Sequence, residues 1–557
     1  NGEQVLGVKL TFDKRYITLA PVASLIGLAF RMYDPDGLIG DTRDIGITLG
    51  LLPRDTAGVE IGRRHFPLNS TFQNGPIRGK DVFIPLTQLI GGAAMAGKGW
   101  NMLNECLAVG RSITLPSTAS GGAKAGAAVT GAYARIRKQF GLSVGRFEGV
   151  EEALARIGGK AYKISALSQA TAAAVDRGDV PSVPSAIAKY HCTNMSREVI
   201  SDMMDVIGGK GIILGPRNFA GRSWQAAPIA ITVEGANIMT RSLLIFGQGA
   251  ILCHPWVLKE MKAAQDPDTR AGLQEFDRSL FGHIRYGISN AVRSFWFGLT
   301  GARFGAAPGD AYTRRYFRKL DRYSANLALM ADISMMTLGG KLKFKESLSG
   351  RLGDVLSHVY MTSAMLKRYH DEGAPQADQP LLAWAFHDSV HKIEESLSAA
   401  LRNFPIRPIG WLMWALIFPL GRRAEAPGDR LSRRVAALLM APNEARDRLA
   451  SGVFLTPCEN NPGGRINSYL SKAIMAEPVE RKFLKALKSK GIEALDFKAQ
   501  LDEAVAEGVI TQDERSLLEE LRTLTLDTIT VDDFDTHELR AASYYDRQHK
   551  DPHSQAA

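Results

Sequence analysis

Residues 120–134 read SGGAKAGAAVTGAYA, and this run restricts the fold more than any other. Side chains this small let helices approach closely, because helix separation is set by the residues at the contact. Met102, Leu103, Cys106, Leu107 and Val109 lead into the run as one apolar face at helical spacing. A second helix is predicted over 150–177. A third starts near Ser182, just after Pro181, and runs to a glycine stop at Gly208-Gly209-Lys210-Gly211. A fourth is predicted over 235–247. Residues 96–250 therefore read as a four-helix bundle.

Before the bundle the pattern is different. Within residues 1–95, VLGVKLTF, KRYITLAP, GITLGLL, GVEIGRRHF and KDVFIPL are short runs rich in β-branched and aromatic residues, separated by Gly, Pro, Asp and Asn. They predict a small antiparallel sheet or barrel. Residues 251–557 read as a further helical region, with amphipathic stretches at 323–335, 352–369 and 380–401. Thr511-Gln512-Asp513-Glu514 forms a capping box ahead of Leu517, Leu518 and Leu521. The expected class is α+β, mostly α: a small antiparallel β domain, a four-helix bundle, then an additional helical C-terminal domain.

At 557 residues the chain is long enough for three or four domains and for a core that needs no disulfides. Cys106, Cys192, Cys253 and Cys458 are scattered with no CxxC pair, which fits a reducing compartment and predicts no metal site. A formal charge of +10 suits anionic partners in general. Without zinc-finger spacing, an RNA-binding aromatic signature or a long basic run, nucleic acid is the weakest of them. The start at Asn1, with no initiator Met and no signal peptide, reads as a truncation point. No apolar stretch reaches bilayer-spanning length.

Seven short motifs in order give this pattern a family. KRYIT at 14–18, GVEIGRRHFPLN, KDVFIP followed by GKGW, GRSITLP, RKQFG at 137–141, DVIGGKGI and ITVEGAN at 231–237 resemble the ordered motifs of the acyl-CoA dehydrogenases. FPIRPIGWLMWALIFPLGRR and LTPCENNPGG further resemble the C-terminal extension of the large bacterial fatty acyl-CoA dehydrogenases of β-oxidation. The family's N-terminal helical domain has no counterpart in this sequence.

The resemblance implies removal of an α-proton and a β-hydride from an acyl-CoA thioester, giving the trans-2-enoyl-CoA. No amino-acid side chain accepts hydride, so a cofactor is required, and the family implies FAD. It implies Glu234 as the catalytic base, a role an apolar pocket favours by raising carboxylate basicity. Gly235 would let the thioester approach the backbone. Tyr16 and Thr18 would meet the flavin ring. Arg137, Gln139 and Phe140 would meet its pyrophosphate and adenine across a subunit interface, which implies at least a homodimer. Gly208 and Gly209 would admit the adenosine part, and Arg111 would lie near the acyl-CoA. Electrons would pass to an electron-transfer flavoprotein.

Considered singly, these residues also have plain readings. Glu234 would be a carboxylate at a helix N-terminus, Tyr16 and Thr18 ordinary strand residues, and Arg137 with Gly141 a helix C-terminus and its cap. Asp205, Glu148, Ala236 and Ile238 depart from the family's usual residues. An acyl-CoA oxidase shares the base and flavin. A non-catalytic acyl-CoA-binding or membrane scaffold protein is the rival from another class.

Three further patterns have plain readings. His387 and His391 share a helical face, but the sequence HDSVH lacks the Glu of a zinc helix and reads as a polar face. Cys253-His254 reads as packing, since adjacent helical residues seldom face one another. The apolar run 409–421, with Trp411 and Trp414 inside and Arg407, Arg422 and Arg423 flanking it, suits either a buried helix or an interfacial one. Peripheral contact with the inner face of a bacterial cell membrane is the expectation carried forward.

Overall fold

The computed structural model describes residues 4–252, 254–490 and 496–535. Cys253 therefore lies outside the described residues. The chain is mostly helical with a small antiparallel β part, as its patterning predicts. Two compact units share it in alternation. Unit 1 comprises Asn1–Lys124, Gly158–Val199 and Gln225–Val435; unit 2 comprises Ala125–Ile157, Ile200–Trp224 and Ala436–Ala557.

In unit 1 the strands β1 (Gly7–Thr18), β2 (Leu25–Tyr33), β3 (Asp44–Pro53), β4 (Val59–Ile61) and β5 (Asn74–Pro85) form two antiparallel sheets, ordered β1-β5-β4 and β2-β3. Their inward residues, among them Leu10, Ile26, Leu28, Leu52, Ile77, Val82 and Ile84, alternate along the strands and form one apolar core. The first two predicted strands are a single strand, β1. Its pairing with β5 slips between Lys14 and Ile17, where Tyr16 takes φ 62°. Such a bulge bends the strand and re-aims a side chain.

The long helices α1 (Gly99–Ile136), α2 (Glu148–Asp176) and α3 (Ser182–Ile207) follow. Pro116 stands inside α1 and cannot donate to the carbonyl four residues earlier, that of Ser112. The buried Thr171 hydroxyl donates to that carbonyl instead, at 2.9 Å. The Gly/Ala run does bring elements close. Within unit 2, a Cβ on Gly131 would stand 2.3 Å from the Leu439 carbonyl oxygen, and one on Gly126 would stand 2.4 Å from Met203 Sδ.

The fourth predicted helix is corrected. It begins at Asn237, not Gly235, because Glu234 and Gly235 both take positive φ, 54° and 98°, which ends helical geometry. Beyond the turn the chain is helical over Asn237–Met239, has π geometry over Thr240–Ile245 and is helical again over Phe246–Leu252. A helix not foreseen, Gly221–Thr232, precedes the turn. The capping box at Thr511 is present, with Thr511 Oγ1 accepting from the Glu514 N–H and Glu514 accepting from the Thr511 N–H.

Among the described residues, no single helix is long and apolar enough to cross a membrane. The run 409–421 forms the helix Arg407–Ile417 and its exit. Met413 and Ile417 are buried, while Trp411 (64%) and Leu412 are exposed.

Candidate active site

Glu234 sits on a strained turn between two helices. A left-handed backbone at a non-glycine residue costs roughly 1 kcal/mol or more and persists only where surrounding structure fixes it. The fixing groups belong to α1, α3 and the residues just after the turn.

From α1, Arg111 and Thr114 stand one turn apart and face the carboxylate. Thr114 Oγ1 lies 3.1 Å from Glu234 Oε1 and 2.8 Å from the Gly110 carbonyl. A hydroxyl has one proton, so these two acceptors compete for it. Arg111 is held below its usual pKa by burial, against the opposing pull of the Glu234 charge. Two buried atoms here have no hydrogen-bond partner: Glu234 Oε2 and Arg111 Nε. Buried polar atoms are nearly always paired, and these two are left without a partner on the elements that also bring Thr114 to the same carboxylate.

From α3, Lys189 reaches the backbone of the turn. Its fully buried ammonium donates to the Gly235 carbonyl at 2.6 Å and to Asn237 Oδ1 at 2.7 Å. Asn237 Nδ2 donates to Thr193 Oγ1 at 3.0 Å, and the Thr193 hydroxyl returns to the Lys189 carbonyl at 2.7 Å. Burial pushes the Lys189 pKa down to about 8, with Glu234 opposing that shift and Arg111 adding to it.

Of the residues singled out by sequence, Glu234, Gly235 and Arg111 thus come together in unit 1. Tyr16 and Thr18 are also in unit 1, both exposed. Tyr16 (73%) projects from the β1 bulge against His65, with ring centroids 5.3 Å apart, and Thr18 ends the strand opposite Asn74. Arg137, Gln139, Phe140, Gly208 and Gly209 belong to unit 2. Arg137 donates to Tyr133 Oη at 2.5 Å and to the Ile207 carbonyl at 3.4 Å, which puts it beside Gly208-Gly209. Gly208 has φ 59°, and both glycines face open space. Gly141 is not a helix cap. Lys138–Gln139 and Leu142–Ser143 pair as a hairpin whose tight turn is Phe140-Gly141, both at positive φ, the geometry such two-residue loops require. Phe140 is 93% exposed at its tip.

These groups fit a flavin dinucleotide in kind. An exposed planar ring on a bulge suits stacking, and an Arg fork beside open glycine backbone suits pyrophosphate. The two departures near them have other settings. Glu148 opens α2, where a carboxylate favours the helix dipole, and Asp205 adds to the field that raises the Arg156 pKa, behind the Asp202 hydrogen bond. Ala236 lies in the turn and Ile238 is exposed.

Sequence reading missed Lys189, Thr114 and Asn237. Lys189 alone left a local trace: it interrupts the apolar face of AIAKYHC, and a lysine in the middle of a buried face must be paired.

Two polar clusters in unit 1 lie elsewhere. His254 Nε2, His283 Nε2 and Asp332 Oδ1 are close enough to share an ion. Yet His254 Nδ1 accepts from the Trp256 and Val257 N–H groups at 3.2 and 3.1 Å, so Nε2 carries the proton and donates to Asp332 at 2.7 Å. An ion at Nε2 would have to displace that proton, and the trio reads as a hydrogen-bonded helix cap. His387 and His391 do not converge either: His391 meets the Ala424 carbonyl, while Asp388 between them turns inward to Lys163 at 2.7 Å.

Comparison with known proteins agrees with these features. Residues 251–534 match the profile described as acyl-CoA dehydrogenase, C-terminal, bacterial type, and residues 97–245 match the acyl-CoA dehydrogenase C-terminal domain. Protein HemX of Proteus mirabilis is 60% identical over 104 residues, which is 19% of this chain and 61% of that protein. Probable acyl-CoA dehydrogenase FadE10 of Mycobacterium tuberculosis is 24% identical over 379 residues, 65% of this chain and 54% of that protein. The chain thus spans little more than half the length of these relatives. The crystal structure of an acyl-CoA dehydrogenase complexed with FAD from Bacillus anthracis superposes with a TM-score of 0.59 at 16% identity, covering 78% of this chain and 71% of that one, a likeness of fold.

Proposed function

This chain belongs to the bacterial-type acyl-CoA dehydrogenase family, and from that premise we propose that the full-length protein oxidises medium- or long-chain acyl-CoA to trans-2-enoyl-CoA in β-oxidation. The α-proton goes to the Glu234 carboxylate, the β-hydride leaves the substrate, and the Cα–Cβ double bond forms. FAD, when bound, supplies the hydride acceptor. The electrons pass on to an electron-transfer flavoprotein.

The observation that carries this reading is the unpartnered Glu234 Oε2, held on a strained turn within the field of the Arg111 charge and hydrogen-bonded through Oε1 to Thr114. A free carboxylate oxygen in a half-buried setting is what a base needs. Leu107 and Ile113 on α1, with Ile238 and Met239 after the turn, are exposed apolar side chains on the elements that carry the site, which suits an acyl chain. Tyr16 and Thr18 would hold the flavin ring, and Arg137, Gln139, Phe140, Gly208 and Gly209 its dinucleotide part, in at least a dimer.

The test is anaerobic bleaching of the flavin in the full-length protein by palmitoyl-CoA, beside Glu234→Gln. Bleaching in the parent and its loss in the variant are expected. Bleaching in both would remove Glu234 from its role. No bleaching at any chain length, or no bound flavin, would favour an acyl-CoA-binding protein; rapid peroxide formation in air would favour an oxidase.

Peripheral membrane attachment has its own support. On the helix Thr269–Thr300, Leu273, Phe281 (69%), Ile284, Ile288, Val292 and Trp296 are exposed at spacings of three, four and eight residues. They make one apolar stripe with Arg278 and Arg285 also exposed. Together with Trp411 and Leu412 this suits an anionic lipid surface on the cytoplasmic side. Flotation with phosphatidylglycerol vesicles, lost in Phe281→Asp, is the expected result; flotation unchanged by that substitution would refute it.

A further inference from the structure

The backbone of the turn that carries Glu234 is gripped most closely from α3. Lys189 comes from α3, 45 positions before Glu234, and its ammonium donates to Gly235 O and to Asn237 Oδ1. These two acceptors bracket the turn: one is backbone within it, the other belongs to the first residue of the helix after it. Asn237 is fixed in turn by Thr193, and Thr193 by the Lys189 carbonyl. The ring Lys189–Asn237–Thr193–Lys189 is closed and buried at every member. Thr240 is also buried, with its hydroxyl 3.5 Å from the same Gly235 carbonyl, at the limit of a hydrogen bond. The Lys189 contact, at 2.6 Å, is the shorter of the two.

We propose that Lys189 is a positioning residue for the base: by clamping the Gly235 carbonyl and Asn237 it holds Glu234 in its left-handed conformation and keeps the carboxylate turned to Arg111 and Thr114. This rests on the reading of Glu234 given above. The physical argument is one of accounting for a strained residue. Glu234 at φ 54° gains nothing from its own backbone, so the geometry must be fixed by neighbours. Ammonium contacts to a carbonyl and an amide oxygen are charge-assisted and stronger than neutral ones. Burying a lysine is costly, and a fold that buries one this way obtains a fixed turn in return. Gly235 tolerates its φ of 98° without help; Glu234 does not.

The experiment uses the full-length flavoprotein and compares Lys189→Met, Lys189→Arg and Thr193→Val with the parent. Methionine keeps length and removes all donors, and valine removes only the ring's hydroxyl. The first readout is amide hydrogen exchange in peptides covering 233–240. Leaving the Gly235 carbonyl and Asn237 unsatisfied should speed exchange there by about tenfold or more in Lys189→Met. Peptides from β1 to β5 should be unchanged. Lys189→Arg should restore part of the protection, and Thr193→Val should lose a smaller part. The second readout splits binding from chemistry: bleaching by palmitoyl-CoA should slow by about tenfold or more in Lys189→Met, with half-saturation changed little. Unchanged exchange at 233–240 in a folded Lys189→Met would overturn the proposal. So would exchange that rises evenly through unit 1, which marks a merely structural lysine. If Lys189→Met does not fold, Thr193→Val decides by the same exchange readout. If the parent protein is not bleached by any acyl-CoA, the dehydrogenase reading fails, while the exchange comparison still decides whether Lys189 clamps the turn.

Discussion

One substitution made at two places should have opposite effects. Gly159 lies inside α2 and Gly122 inside α1, and both belong to unit 1. Glycine in a helix interior costs about 1 kcal/mol relative to alanine, so Gly→Ala stabilises unless the methyl meets something. At Gly122 a Cβ would find nothing within 4 Å, and Gly122→Ala should stabilise by about 0.5–1 kcal/mol. At Gly159 it would stand 1.9, 2.5 and 2.6 Å from three ring atoms of Trp384. Trp384 is buried in the helix Gln379–Arg402, and an indole cannot bend away as a flexible chain end can. Overpacking of this kind costs about 1–3 kcal/mol and more when the neighbour is rigid. Taken against the helical gain, Gly159→Ala should destabilise by about 1–2 kcal/mol. The two variants should therefore differ by about 2–3 kcal/mol in the urea transition of unit 1, followed by Trp fluorescence. Stability of Gly159→Ala equal to or above that of the parent would refute the close approach of α2 to Trp384.

Two further outcomes are expected. His191 and His358 are fully buried 5.2 Å apart; burial, reinforced by Lys163, Lys392 and Arg241, pushes His191 down to about 3, and burial first of all takes His358 well below its ordinary value. Below pH 6.5 the unfolded chain takes up protons that the folded chain refuses, so stability should fall with pH from there, by up to ~1.4 kcal/mol per pH unit for each histidine. Urea midpoints between pH 6 and 5 should show a shallower slope in His191→Phe, with His358 and the burial-depressed His387 supplying the rest, and an unchanged slope would contradict it. Thr511→Ala removes the capping box of the helix Gln512–Ile529 and should cost about 1 kcal/mol, read as faster amide exchange in its first turn.

How far the sequence led depends on what each feature encodes locally. Helical spacing, a small-residue run and a capping box are short-range patterns, and α1, α2, α3 and the cap at Thr511 stand where those patterns predict. β2 has a weak strand signal, since Gly27 and Ala29 interrupt it, although its inward residues Ile26, Leu28 and Met32 alternate. KRYIT and the run before it read as two strands because Asp13 between them carries a turn-like signal, whereas β1 runs through it. The start of the fourth helix was misplaced because a positive φ at a glutamate has no compositional signal; glycine at 235 hinted at it, but Glu234 did not. Glu234 itself was legible through its motif. Its neighbours were not, because Thr114, 120 positions away, and Lys189 meet it only through packing of α1 and α3.

The alternation of the two units along the chain has a consequence for synthesis. Residues Ala125–Ile157 belong to unit 2, yet most of that unit's remaining residues begin only at Ala436. On a ribosome adding about 5–20 residues per second, the early segment waits roughly 15–60 s for its partners. During that interval Val129 and Gly131 lack the cover that Gly463 and Leu439 give them in the finished chain. Nascent copies of this protein should therefore be held by a chaperone until late in translation, and premature termination before Ala436 should leave an aggregating fragment, not a shorter folded enzyme.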